Sequence, residues 1–165
     1  GRPLGWDPAW GSGTFPRVFA RLGAESLATD LVDRGYEDFG FAGDFLRMEG
    51  AVTQGAISII TNPPYRHTEA FVRKGLTLAT RFVAVLVPLN CLASAGRHTF
   101  FAEHPPLTIA ILSSRPTMPP GDKGADLGKA AFKNGKIDYA WVLWDVRQPN
   151  PITRAIWLRR AGLQP

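Results

Sequence analysis

Asn62-Pro63-Pro64-Tyr65 closes an apolar run, Ile57-Ser58-Ile59-Ile60-Thr61. Two prolines fix φ and remove two backbone donors, so a strand must stop there. What remains is a rigid corner carrying one amide side chain, bare carbonyls and one aromatic ring. The Asn62 oxygen and the Pro63 carbonyl can each accept one hydrogen of an exocyclic amino group, while Tyr65 stacks on the planar ring that bears it. The same residues also make an ordinary strand-ending turn, because Asn-Pro is a common turn starter.

Three acidic positions at expected strand ends precede this corner. Asp7-Pro8-Ala9-Trp10-Gly11-Ser12-Gly13 leads into a helical pattern in which Phe15, Val18, Phe19 and Leu22 recur at i, i+3, i+4 and i+7, and Gly23 supplies a stop. Two glycines between a strand and a helix let the backbone turn tightly and approach a ligand closely. Alone, Gly11-Ser12-Gly13 also reads as a plain tight turn. Asp30 closes Ser26–Asp30, 17 residues beyond Gly13. An acid about 20 residues past a glycine loop commonly accepts from ribose hydroxyls. Asp44, followed by Phe45, stands 14 residues further on, and Asn62 follows after 18 more. Individually, Asp30 and Asp44 serve equally well as helix-cap or turn acids.

The ordered series resembles the motifs of class I S-adenosylmethionine-dependent methyltransferases, specifically the amino-methylating group whose catalytic loop is Asn-Pro-Pro-aromatic. The resemblance covers Asp7 to Tyr65 and extends more loosely to about Asp145. It implies that Asp7, Gly11 and Gly13 surround the methionine part of the cofactor and that Asp30 binds its ribose. It implies further that Asp44 accepts from the cofactor's adenine amino group beside Phe45, and that Asn62, Pro63, Pro64 and Tyr65 hold the target base. The implied cofactor is S-adenosyl-L-methionine, the implied acceptor the exocyclic amino group of adenine in DNA. RNA adenine and a protein glutamine amide are alternative acceptors, since each also presents a planar NH2.

Only Gly1–Trp6 precede Asp7, where the family carries an additional N-terminal segment. The expected fold is therefore the family's without its N-terminal helix. The short start also keeps open a domain that binds nucleic acid or a partner without catalysis. No target-recognition domain is expected beyond Trp144, which leaves sequence discrimination to a partner or to the Pro-, Gly- and Lys-rich loop 113–136.

Strands are predicted near 2–6, 26–30, 40–43, 57–61, 82–88, 107–112 and 139–144, and helices near 14–22, 66–80 and 91–103. Their alternation predicts a Rossmann-like, doubly wound α/β domain with a mostly parallel seven-stranded sheet spanning 1–165. Phe82–Val87 is continuously apolar, as befits a central strand covered on both faces. Such sheets bind ligands at the carboxyl ends of their strands, where the strand order reverses. Trp141 and Trp144 are expected on one face of the last predicted strand.

The 165 residues suit one domain with a sizeable core. No apolar run approaches the ~20 residues of a membrane span, and no secretory pattern is seen, so a cytoplasmic setting is expected. The single cysteine, Cys91, excludes an internal disulfide and a cysteine-rich zinc site. His67 reads as a surface histidine, since no step here requires a base; His98 and His104 lack an acidic partner at metal-ligand spacing, and no metal is expected. The formal net charge is +5, a balance that suits a polyanion. Arg66, Lys74, Arg97 and Arg115 are the candidate phosphate contacts; scattered surface charge is the plainer alternative.

Overall fold

The computed structural model describes residues 4–11, 14–33, 35, 40–49, 57–93, 95–116, 135–149 and 151–159. Eight strands form one sheet: β1 (Leu4–Asp7), β2 (Glu25–Asp30), β3 (Phe41–Ala42), β4 (Ile57–Thr61), β5 (Phe82–Pro88), β6 (Thr108–Leu112), β7 (Tyr139–Asp145) and β8 (Arg154–Leu158), in the order β3-β2-β1-β4-β5-β7-β6-β8. β7 alone runs against its neighbours, β5 and β6. The expected doubly wound, mostly parallel architecture is present. The eighth strand was not expected. β8 pairs in parallel with β6, Ala110 beside Ile156, and every one of its residues is exposed.

Helices cover both faces. α1 (Thr14–Arg21) lies over Gly5, where a side-chain carbon would stand 2.8 Å from the Phe19 ring. Of the stripe predicted for α1, Phe19 is buried, whereas Val18 and Leu22 are exposed. α2 (Thr68–Leu78) and α3 (His98–Glu103) occupy the opposite face. Gly75 brings α2 down onto Val83 and Ile59. Trp6, Ile57, Ile59, Val83, Val85, Val87, Val142 and Trp144 form the core beneath these helices, together with Phe45, Phe71 and Phe100. All of β5 except Phe82 is buried, as its unbroken apolar sequence requires.

Two predicted helices are shortened. The chain leaves Pro64 through a 3-10 turn, Tyr65–His67, before α2 begins at Thr68. The segment predicted as helix 91–103 holds two 3-10 turns, Leu89–Leu92 and Ala95–Arg97, and only then α3. Trp141 and Trp144 lie on opposite faces, not one. They are three residues apart on a strand whose side chains alternate. Trp144 meets Phe100 at 6.3 Å in the core, and Trp141 meets Phe15 at 5.3 Å on the α1 side. Among the described residues no helix is long and apolar enough to cross a membrane.

Candidate active site

Asp7 ends β1, Asp30 ends β2, Asp44 follows β3 by two residues and Asn62 follows β4 directly. These four strands are adjacent and parallel, so residues spread over 56 positions gather along one edge of the sheet. The order reverses between β1 and β4, which places the crevice between Asp7 and Asn62.

The loop after β1 is held by β2. The Trp10 amide donates to the Thr29 carbonyl at 3.1 Å, and the Gly11 amide donates to Asp30 Oδ2 at 2.9 Å. Gly11 has φ +58°, a conformation that favours glycine. Asp30 Oδ1 accepts from the Val32 amide at 3.3 Å. A carboxylate has about four lone-pair sites and can accept several hydrogen bonds at once. Leu31 and Val32 stand exposed beside it, 68% and 53% accessible, and offer an apolar surface to a heterocycle. Gly13 lies outside the described residues.

Asp44 caps the 3-10 turn Phe45–Arg47: its Oδ1 accepts from the Leu46 amide at 3.0 Å and its Oδ2 faces Arg47 at 3.5 Å. The Gly43 amide bonds the Asp30 carbonyl and keeps the two acids in one neighbourhood. Phe45 points the other way. It is 2% exposed, 5.2 Å from Trp6 and 5.0 Å from Phe71, and its ring belongs to the core.

Asp7 is deeply buried, 1% exposed. Its Oδ1 accepts from the Thr61 hydroxyl at 2.8 Å and the Ala9 amide at 3.1 Å. Burial pushes its pKa up to about 7, opposed by those two hydrogen bonds and helped by the charge of Asp30. Thr61, itself 1% exposed and immediately before Asn62, thus ties the end of β4 to the end of β1.

In the corner, Pro63 is buried, Pro64 is exposed, and Asn62 and Tyr65 are half-buried. The Pro64 carbonyl accepts from His67 N–H, and the Tyr65 carbonyl from the Thr68 hydroxyl at 3.0 Å. The Tyr65 hydroxyl donates to the Tyr139 hydroxyl at 3.2 Å, and the Asn62 side chain bonds the same Tyr65 oxygen. Burial, then the bond to Tyr139, raises the Tyr65 phenol well above its ordinary pKa. Tyr139 carried no motif signal; only its place at the start of an apolar strand hinted at it. Thr61 could have been noticed as the polar end of an otherwise apolar strand.

The four candidate phosphate contacts are not gathered. Arg66 is exposed next to the corner, its Nε 3.0 Å from His67 Nε2. Arg97 donates to the Cys91 carbonyl at 2.7 Å. Arg115 makes a two-pronged ion pair with Asp138, at 2.7 and 3.2 Å. Lys74 lies far along α2, next to the Gly75 that sits on Val83 near the amino end of β5.

Solved structures share this architecture. The fold is the Rossmann-like α/β fold of class I methyltransferases. A Listeria monocytogenes protein assigned to the class I S-adenosylmethionine-dependent methyltransferases superposes with a TM-score of 0.59 at 11% identity, over 97% of this chain and 59% of its own. The 23S rRNA methyltransferase ErmE gives 0.52 at 15% identity, covering 86% of this chain and 60% of its own. A dimethyladenosine transferase from Plasmodium falciparum gives 0.50 at 12% identity, covering 85% and 54%. The chain therefore spans about three-fifths of the length of the first two. No family model and no curated protein matches the chain in sequence.

Proposed function

We propose that this chain transfers a methyl group from S-adenosyl-L-methionine to the exocyclic amino group of adenine in DNA. The observation that carries the proposal is the convergence of Asn62-Pro63-Pro64-Tyr65 with Asp7, Gly11 and Asp30 at one switch point of the sheet. The cofactor's sulfonium methyl is already electrophilic, so the protein need supply only placement. Asp30 and the Gly11 turn fit its ribose and methionine parts, with Leu31 and Val32 beside the adenine. Asp44 is the candidate acceptor for that adenine's amino group through Oδ2, while the Phe45 ring supports the turn from the core.

The acceptor amine is a poor nucleophile because its lone pair is conjugated into the ring. Asn62 Oδ1 and the Pro63 carbonyl each accept one amine hydrogen, which favours a more tetrahedral nitrogen with its lone pair available. Tyr65 stacks on the base, which leaves a duplex at a cost of a few kcal/mol for unstacking. Alignment and electrostatics supply the rate. Arg66, the exposed cation beside the corner, is the best placed of the basic residues for a phosphate.

RNA is the second acceptor, favoured by the likeness to ErmE, which is named for 23S rRNA. Labelled methyl transfer to adenine-containing DNA, RNA and a glutamine peptide separates the acceptors. Asn62→Ala is expected to leave cofactor affinity nearly intact and to lower single-turnover methylation about a hundredfold or more. A folded Asn62→Ala chain that methylates at the parental rate refutes the assignment of the corner. Absence of S-adenosylmethionine binding by the parent refutes the cofactor.

A further inference from the structure

Tyr139 opens β7 opposite Pro88, at the edge of the sheet where the corner lies. It is 3% exposed, and its ring centroid is 6.1 Å from that of Tyr65, the planes inclined by 49°. The Tyr65 hydroxyl gives its hydrogen to the Tyr139 oxygen, and the Asn62 side chain bonds the same hydroxyl. A phenol has one hydrogen to give. When Tyr65 gives that hydrogen to Tyr139, its oxygen receives from the Asn62 NH2, which leaves Asn62 Oδ1 to the acceptor. We infer that Tyr139 is a positioning residue: acting through Tyr65, it fixes which end of the Asn62 amide is the acceptor. Three side chains from two elements 74 residues apart in sequence thereby form one relay.

The inference deepens the function proposed above and gives Tyr139 a part in it. An Asn62 oxygen set by this relay is the atom that receives an amine hydrogen. Without the Tyr139 hydroxyl, the Tyr65 hydrogen is released and can be donated to Asn62 Oδ1, in competition with the acceptor. The ring of Tyr139 remains in Tyr139→Phe, so packing against Tyr65 is kept and only the hydroxyl is removed.

The test joins kinetics with a spectrum. Tyr139→Phe and Tyr65→Phe are each expected to lower kcat on an adenine-containing DNA or RNA oligonucleotide roughly two- to tenfold, with S-adenosylmethionine affinity unchanged. The double variant is expected to lose no more than either single one, since all three break the same relay. A parental kcat for Tyr139→Phe, or additive losses, overturns the inference. The Asn62 side-chain NH2 resonances, identified by their disappearance in Asn62→Ala, are expected to move in Tyr139→Phe. Unmoved resonances overturn the relay whether or not any acceptor is methylated. Moved resonances in a protein that methylates neither DNA, RNA nor a glutamine peptide uphold the relay and overturn the function proposed above.

Discussion

Replacing Asp7 with Asn is expected to stabilise the protein at neutral and alkaline pH. Asp7 is 1% exposed, and its carboxyl has a pKa of about 7 in the fold against 3.8 in an open chain. Between those values the folded state holds a proton that the unfolded chain has released. Stability therefore falls as pH rises from about 4 to about 7 and levels off above. A gap of about 3 units at about 1.4 kcal/mol each sets the full loss near 4 kcal/mol. Asparagine keeps an Oδ1 that can accept from Thr61 and Ala9, the two partners of Asp7 Oδ1, and carries no charge at any pH. The advantage of Asp7→Asn over the parent should accordingly grow by about 2–3 kcal/mol between about pH 5 and about pH 8. Urea unfolding of both chains across that range, followed by tryptophan fluorescence, measures the difference directly; titrating groups not coupled to Asp7 cancel in the comparison. Parallel pH profiles, or a growing disadvantage of Asp7→Asn at high pH, would refute the account of Asp7 as a carboxyl whose ionisation burial opposes.

Two further outcomes follow from the same geometry. Asp30→Ala is expected to weaken S-adenosylmethionine binding roughly tenfold to over a hundredfold, because hydrogen bonds to a charged acceptor are lost and the Gly11 amide loses its anchor; unchanged affinity by calorimetry would remove Asp30 from the cofactor site. Gly5→Ala is expected to cost about 1–3 kcal/mol, since the added carbon would lie 2.8 Å from Phe19 Cε2, and Phe19→Leu in the same chain should restore part of the loss in a denaturation series.

The parts of the site legible in the sequence were those whose chemistry is local. Proline and glycine stop strands wherever the strands lie in the sheet, so Asn62–Tyr65 falls just after β4 and Gly11 in the turn between β1 and α1, as expected. Phe45 was misplaced because an aromatic beside an acid reads alike whether its ring faces a ligand or the core. Only the packing with Trp6 and Phe71 decides between them. β8 escaped because its partner β6 lies more than 40 residues earlier, and two strand formers, Ile156 and Trp157, do not by themselves reveal that pairing. The tryptophans of β7 were put on one face although a spacing of three on a strand puts them on two. The basic residues show the same limit. Their number fixes the net charge, but Arg97 and Arg115 are bound to a carbonyl and a carboxylate that lie 6 and 23 residues away.

Asp7 and Tyr139 share a logic that motifs do not carry. Each is nearly inaccessible, and each bonds a residue at or next to the corner. Asp7 Oδ1 accepts from Ala9 in the loop and from Thr61, the residue before Asn62. A cation held in that loop would favour the ionised form of Asp7 and offset part of its desolvation. The sulfonium of the proposed cofactor is such a cation, and its departure as a neutral thioether after transfer would return the cost to the protein. On the proposed function, burial of the Asp7 carboxyl would therefore favour a charged cofactor over its uncharged product.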